Sequence, residues 1–527
     1  MIIGLSVTVQ LRADRGIKMN DITISANGRQ LAGLIARPEG NHAAHSLPAV
    51  AVFHGFTASK EMMRPFIEGL ARVGFVVIAI DQQGHGHSTG NLREDGENSL
   101  RNDGVAVVAY LRGLSSVDPA KVAILGHSMG AGTAIATSTY LGDLAATVLI
   151  GNSLDGGQEY NLTPSFPSNV LLAVGKYDEL FTIDDAITTL AKLITTSPQV
   201  NTLYGNFDDG TARELLVTPT DHILEVLNAR IVERSIEWIY KSLVDATTNL
   251  TDPALQSVKG WQFILDQLLS AIAALGMILL IPLSFAFLPR KFNREDREIS
   301  WISQGFLAFI AFILAIPTAF LGTGSFAVLF ISWFILGSLF YTIKRMMQQS
   351  RGFGEVVRDE FEIRPDAGIA IVLLAGLMLM VHAILLVVPW DYRYVIPILS
   401  GLSLRRLGLF LIMFLPGSIY FTIEVAALGG KSALSMKQFG REVAARIWAF
   451  MLLLAVYYLP IIIFQTPLLP SLVGFLAFFI VGLIPVMVIL TLFSSFGRRY
   501  HWSNLAIGIL SAGLVCWMLA STLSFNA

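Results

Sequence analysis

Across residues 22–243 short apolar runs alternate with longer stretches whose apolar positions recur at helical spacing, the pattern of a parallel sheet wrapped by helices. The runs predict strands at 50–53, 75–80, 121–125, 146–150, 170–174 and 214–217, and the amphipathic stretches predict helices at 61–72, 97–114, 131–141, 183–193 and 223–243. Two earlier runs, 21–26 and 31–37, predict an antiparallel hairpin at the sheet edge, turning on Asn27 and Gly28. After Asp245 the pattern changes. The polar stretch DATTNLTDPALQSVKG reads as a linker, and beyond it apolar segments of bilayer-spanning length recur at 268–288, 302–321, 326–343, 367–388, 407–428, 448–464, 472–493 and 505–523. The domains expected are therefore 20–245, a linker at 246–263, and an all-α polytopic transmembrane domain of about eight helices at 264–527.

Composition sharpens this division. Charged residues make up 14% of the 527-residue chain and hydrophobic ones 54%, which argues against a wholly soluble protein. Residues 1–264 hold 19 Lys+Arg against 27 Asp+Glu, whereas 265–527 hold 18 against 12. No basic stripe with interleaved aromatics is present, so nucleic acid is not an expected partner. The lone cysteine, Cys516, rules out an intrachain disulfide. The first 20 residues lack the basic start and long apolar core of a secretory signal, and folded patterning begins just after Met19, an alternative start.

The strongest chemical signal is GHSMG at 126–130, set between a predicted strand and a predicted helix. That context is what a G-x-S-x-G elbow requires, and it makes Ser128 the candidate nucleophile. A serine hydroxyl needs a base, and the base needs an orienting acid, which follow the serine in the order acid, then histidine. His222, just past the strand at 214–217, is the last histidine before the apolar half and the candidate base. Asp178, just past the strand at 170–174, is the candidate acid, with Glu179, Asp184 and Asp185 as neighbouring competitors. An oxyanion would need backbone N–H donors, expected from Met129 and from Phe56 in the loop after the strand at 50–53. His54, His85 and His87 read as loop-bracing residues.

HGF at 54–56, DQQGHGHS at 81–88, GHSMG at 126–130, Asp178 and His222 together resemble the α/β-hydrolase superfamily, in particular its serine aminopeptidase-like and monoacylglycerol lipase-like branch. The resemblance covers about residues 20–243 and implies an α/β hydrolase fold acting by acyl transfer, without metal or organic cofactor. It leaves the substrate open among esters, thioesters and amides. Only about 18 residues, 151–169, stand where many relatives insert a helical lid, so little or no lid is expected and the membrane surface is a plausible wall for a shallow site.

Alternate loops of the apolar half carry 15 Lys+Arg on one side and 3 on the other. With eight spans this charge bias places both termini and the hydrolase domain outside the cytoplasm, while the first 20 residues argue the other way. Glu424 and His382 lie within predicted spans and are the ionisable residues there that could serve transport, the alternative being a transporter-like protein with an accessory hydrolase domain. The expected partners are a small acyl substrate and the lipid bilayer.

Overall fold

A computed structural model of the protein describes residues 16–260, 265 and 301–523, apart from 41, 45, 93, 95, 97, 155–159, 254, 257, 259, 321–326, 362, 388–400, 429–434 and 465–470. Strands β1 (Ile17–Ala26), β2 (Arg29–Pro38), β3 (Leu47–Phe53), β4 (Val76–Ile80), β5 (Val117–His127), β6 (Ala146–Ile150), β7 (Val170–Gly175) and β8 (Arg213–Thr218) form one sheet in the order β1-β2-β4-β3-β5-β6-β7-β8. The pairs β1/β2 and β2/β4 are antiparallel and the rest are parallel. Asn27 and Gly28 turn the first hairpin with φ of 47° and 77°, both left-handed, as a tight two-residue hairpin demands.

Every residue of β4 and β6 is buried, because helices cover both faces of the parallel part. Alternate residues separate into two cores. Val50, Val52, Val77 and Leu125 pack against α1 (Arg64–Arg72) and α5 (Ala229–Leu243). Ala51, Phe53, Ile78 and Ile124 pack against α2 (Ser99–Arg112), α3 (Met129–Leu141) and α4 (Ile183–Leu193). Two predicted helices are divided. A 3-10 turn at Lys60–Met63 precedes α1, whose first turn contains Pro65, and another at Leu224–Leu227 precedes α5. Asn228 makes the second division by capping α5, its side chain accepting from the N–H groups of Arg230 and Ile231. The stretch after α5 lies against the same core, with Leu255 and Val258 buried and the Gly260 N–H donated to Glu233 at 2.7 Å.

The apolar half is helical: α6 (Trp301–Ala315, continued by a 3-10 turn at Ile316–Phe320), α7 (Ala327–Gln349), α8 (Phe353–Glu360), α9 (Pro365–Val387), α10 (Leu404–Leu428), α11 (Met436–Phe464), α12 (Ser471–Arg499) and α13 (Asn504–Thr522). Among the described residues five helices, α7, α9, α10, α11 and α13, are long and apolar enough to cross a membrane, and α6 is a shorter apolar helix. The expected span at 268–288 falls outside the described residues. Neighbouring helices pack in the circuit α10, α13, α12, α11, α6, α7 and back to α10, with α9 laid against α13.

Charges inside the bundle are paired, as their burial requires. Both carboxylate oxygens of Glu424 lie 2.8 Å from Arg446, which also donates to Thr491 at 3.0 Å and Ser494 at 2.8 Å. His382 is held through Nδ1 by the Met378 carbonyl at 2.7 Å and accepts the Leu402 N–H at 2.9 Å through Nε2.

The carboxyl edge of the sheet faces this bundle. On one flank, Arg405 donates to the Gly90 carbonyl at 2.7 Å, and His87 Nε2 lies 3.1 Å from the Gly401 carbonyl. Buried Arg406 joins three elements, donating to Ala520 O at 2.7 Å and Leu523 O at 2.9 Å at the end of α13, and to Gly86 O and Gly84 O in the loop after β4. On the other flank, the Tyr457 hydroxyl of α11 donates to the Glu179 carbonyl at 2.6 Å.

Candidate active site

β5 delivers Ser128 to the carboxyl edge, and α3 begins at the next residue. Ser128 has φ 53° and ψ −118°, a strained conformation, and its N–H is anchored to Ile150 O at 2.7 Å. The flanking glycines are needed for room. A Cβ on Gly126 would lie 2.0 Å from Gly130 O, and one on Gly130 would lie 2.3 Å from Phe53 O. The strand and helix therefore approach too closely at this turn for any side chain on those two residues.

The loops after β7 and β8 bring Asp178 and His222 to Ser128. His222 Nε2 stands 2.9 Å from Ser128 Oγ, and His222 Nδ1 stands 2.8 Å from Asp178 Oδ2. Asp178 Oδ1 accepts the N–H groups of Leu180 at 2.7 Å and Phe181 at 2.9 Å. Burial works against the Asp178 carboxylate, but His222 and these donors outweigh it, so its pKa is lowered. Burial likewise opposes the charged His222 imidazole, yet Asp178 outweighs it and the His222 pKa is raised.

The competing acids occupy other places. Glu179 Oε2 accepts the His222 backbone N–H at 3.1 Å, and burial pushes its pKa up to about 7. Asp185 closes a capping box with Thr182 at the start of α4.

Glu225, in the turn three residues after His222, joins the site beside the residues expected from the sequence. Its Oε1 accepts the Gly175 N–H at 2.6 Å, and its Oε2 lies 3.3 Å from His127 Nε2 and 3.8 Å from His222 Nδ1. Burial holds the Glu225 carboxyl well above its usual range, with the Asp178 charge adding to the shift. Its i,i+3 spacing from the histidine, on a turn, was the available signal. Gly151 was also missed, although a Cβ there would fall 2.1 Å from Glu225 Oε2. His127, His222 and Glu225 bring ligand atoms within 4.8 Å of one another. His222 Nδ1 is already engaged by Asp178, and His127 Nε2 lies 3.1 Å from the His222 carbonyl, so the trio reads as a hydrogen-bonded support.

The loop that carries Phe56, one of the expected oxyanion donors, comes up to Ser128, and Met129, the other, directly follows it. Met129 is the first residue of α3, so its N–H has no acceptor within that helix. Phe56 follows Gly55, where a Cβ would fall 3.2 Å from Ser128 Cβ. This loop is braced from below: His54 Nε2 accepts the Gln82 N–H at 3.0 Å, and His85 Nε2 accepts the Thr57 N–H at 3.2 Å. Lys60 pairs with Asp81 at 2.9 Å, and Asp81 also accepts the His87 N–H at 2.8 Å. Burial lowers the His54 pKa and lowers that of His85 to about 3, leaving both rings neutral.

Residues 44–206 match the family described as serine aminopeptidase, S33. The chain carries a serine aminopeptidase-like α/β-hydrolase domain. Over 216 residues the hydrolase domain is 26% identical to the quorum-quenching protein AidA of Acinetobacter baumannii, which covers 40% of this chain and 69% of that protein. A shorter stretch of 88 residues is 35% identical to an uncharacterized protein of Mycobacterium tuberculosis, covering 17% of this chain and 30% of that one. Similar solved structures include a cold-adapted esterase from an Arctic intertidal metagenomic library, at 19% identity, 44% of this chain, 95% of that chain and a TM-score of 0.33. A Pyrococcus furiosus esterase matches at 20% identity, 44% of this chain, 93% of that chain and a TM-score of 0.35.

Proposed function

We propose that the protein is a membrane-bound serine hydrolase that cleaves an ester, thioester or amide through an acyl-enzyme. The observation that carries this reading is the unbroken chain from Ser128 Oγ through both ring nitrogens of His222 to Asp178, built on a strained elbow. Ser128 Oγ attacks the substrate carbonyl carbon as its proton passes to His222 Nε2. The bond to the leaving group breaks, and Nε2 returns that proton to the leaving atom. Water then attacks the acyl carbon, gives a proton to Nε2, and releases the acid as Oγ recovers its proton. Asp178 holds Nδ1–H and stabilises the imidazolium, while the N–H groups of Met129 and Phe56 receive the negative charge on the former carbonyl oxygen.

The long apolar helices support a bilayer location for the catalytic unit. The hydrolase domain docks where the loops carry the fewest Lys and Arg, and Arg405 and Arg406, two of the three there, are spent on that docking. This favours an extracytoplasmic hydrolase domain.

The test is labelling of isolated membranes with a fluorophosphonate probe. Wild type is expected to label, and Ser128→Ala and His222→Ala are expected to lose labelling and turnover by more than about a thousandfold while still inserting in the membrane. Normal turnover by Ser128→Ala would refute the proposal.

A further inference from the structure

Building on the serine-hydrolase reading, we infer that Glu179 is a positioning residue that pins the catalytic base by its main chain and ties it to helix α11, so that the helical bundle helps to set where His222 stands.

His222 lies between the end of β8 and the 3-10 turn at Leu224–Leu227, outside both. Side chains hold its backbone there. Its N–H donates to Glu179 Oε2 at 3.1 Å, and its carbonyl lies 3.1 Å from His127 Nε2. The ring is held separately, by Asp178 at Nδ1. Adjacent carboxyls therefore fix the base at two levels: Asp178 sets the rotation of the imidazole, and Glu179 sets the position of the backbone from which it swings. His222 Nε2 has to serve Ser128 Oγ and then a leaving atom, and a misplacement of about 1 Å is enough to cost about a hundredfold in rate.

The pairing of the two loops brings Glu179 to this position. Past the ends of β7 and β8 they stay joined, Lys176 N–H donating to Thr218 O at 2.7 Å and Tyr177 N–H to Thr220 O at 3.0 Å. Asp178 and Glu179 come next on one loop, Asp221 and His222 on the other. Asp178 Oδ1, by accepting from the N–H groups of Leu180 and Phe181, bends the chain around Glu179.

The same residue is held from the bundle. The Tyr457 hydroxyl donates to the Glu179 carbonyl at 2.6 Å, Tyr458 beside it on α11 faces the Glu179 carboxyl, and Tyr177 packs against the bundle core. Glu179 and Tyr457 are both buried, so their hydrogen bonds form away from water, where they hold most firmly. A carboxyl buried to this degree is costly unless its oxygens are engaged, and what Glu179 Oε2 engages is the main chain of the base. Two bonds in series, Tyr457 to Glu179 and Glu179 to His222, thus run from a long apolar helix to the catalytic histidine.

The experiment uses the full chain in phosphatidylcholine nanodiscs and follows capture of Ser128 by a fluorophosphonate, reading the limiting rate and the half-saturating probe concentration. Glu179→Ala is expected to lower the limiting rate at least about tenfold with half-saturation within about twofold, because the probe still meets Ser128 while the base is displaced. Glu179→Gln keeps an acceptor for the His222 N–H and is expected to stay within about threefold of wild type. Should Glu179→Ala fail to insert, Glu179→Met, which fills the space and offers only a weak acceptor, carries the same expectation. Tyr457→Phe is expected to slow capture about fivefold by itself and less than about twofold alongside Glu179→Ala, since the link it steadies is then already cut. A Glu179→Ala rate within about threefold of wild type, a Glu179→Gln rate as low as that of Glu179→Ala, or a Tyr457→Phe effect that multiplies in full would each overturn the inference. Wild type that labels while Glu179→Ala keeps its rate removes the positioning role and spares the hydrolase, whereas wild type that stays unlabelled removes the hydrolase reading itself.

Discussion

The His222 imidazole sits between carboxyls of unlike character. His222 and two backbone donors favour the ionised Asp178, while burial pushes the pKa of Glu225, 3.8 Å from the same ring nitrogen, upward. Environments that drive two carboxyls apart in this way assign them separate tasks. Because burial favours the protonated form of Glu225, Glu225→Gln is expected to keep kcat within about threefold, its amide accepting from Gly175 N–H and donating toward Asp178. Glu225→Ala leaves the Gly175 N–H without its acceptor, at about 1–3 kcal/mol, and is expected to lower both the melting temperature and kcat; steady-state kinetics and thermal melts on the two variants check this. The general base works unprotonated, so a raised His222 pKa moves the acid limb of the kcat/KM profile upward. Half-maximal kcat/KM is expected at a pH above the ordinary imidazole value of 6.5, and a midpoint below it in a pH series would contradict the assignment. At this scale Ser128, Asp178 and His222 were legible in the sequence because strand ends and a local motif mark them. Glu225 and Gly151 were not, since they act across space on groups that no spacing rule connects.

Elements explain which parts of the pattern could be read. A continuous apolar run locates β6 and a period-3.6 signal locates α4 to the residue, because neither is interrupted. The helices predicted at 61–72 and 223–243 are divided where Pro65 and Asn228 favour a new start, a local preference that hydrophobic periodicity averages away. α11 begins twelve residues ahead of the apolar segment predicted at 448–464, because its first turns, MKQFGREVAARI, are helical but polar and carry Arg446 to its partner. The other end of α11 supplies Tyr457, whose hydroxyl steadies the loop that presents Asp178. Tyr457→Phe removes one hydrogen bond of about 1 kcal/mol, and kcat is expected to fall about fivefold with KM little changed. An unaltered kcat in nanodiscs would show that the loop holds its shape without α11.

At the scale of the whole molecule, the loop-charge bias and the docked hydrolase make a prediction about sidedness. Tyr140→Cys, at a position 61% exposed on the hydrolase domain, is expected to react with a membrane-impermeant maleimide in intact cells. Glu355→Cys, exposed on α8, is expected to react only after permeabilisation, and buried Cys516 gives little background. The reverse pattern would place the catalytic unit in the cytoplasm. The division of the chain into a sheet-containing half and a helical half was legible from hydropathy alone. Their mutual docking was not, because Arg405, Arg406, His87 and Tyr457 are unremarkable in sequence and gain meaning through carbonyls some 300 residues away. Arg406 takes this furthest, since its guanidinium fills the terminal carbonyls of α13 and the carbonyls of the loop after β4 together. A contact that exists only when both halves are folded is reciprocal: whatever free energy the seated hydrolase domain lends to the bundle, the bundle returns to it in equal measure.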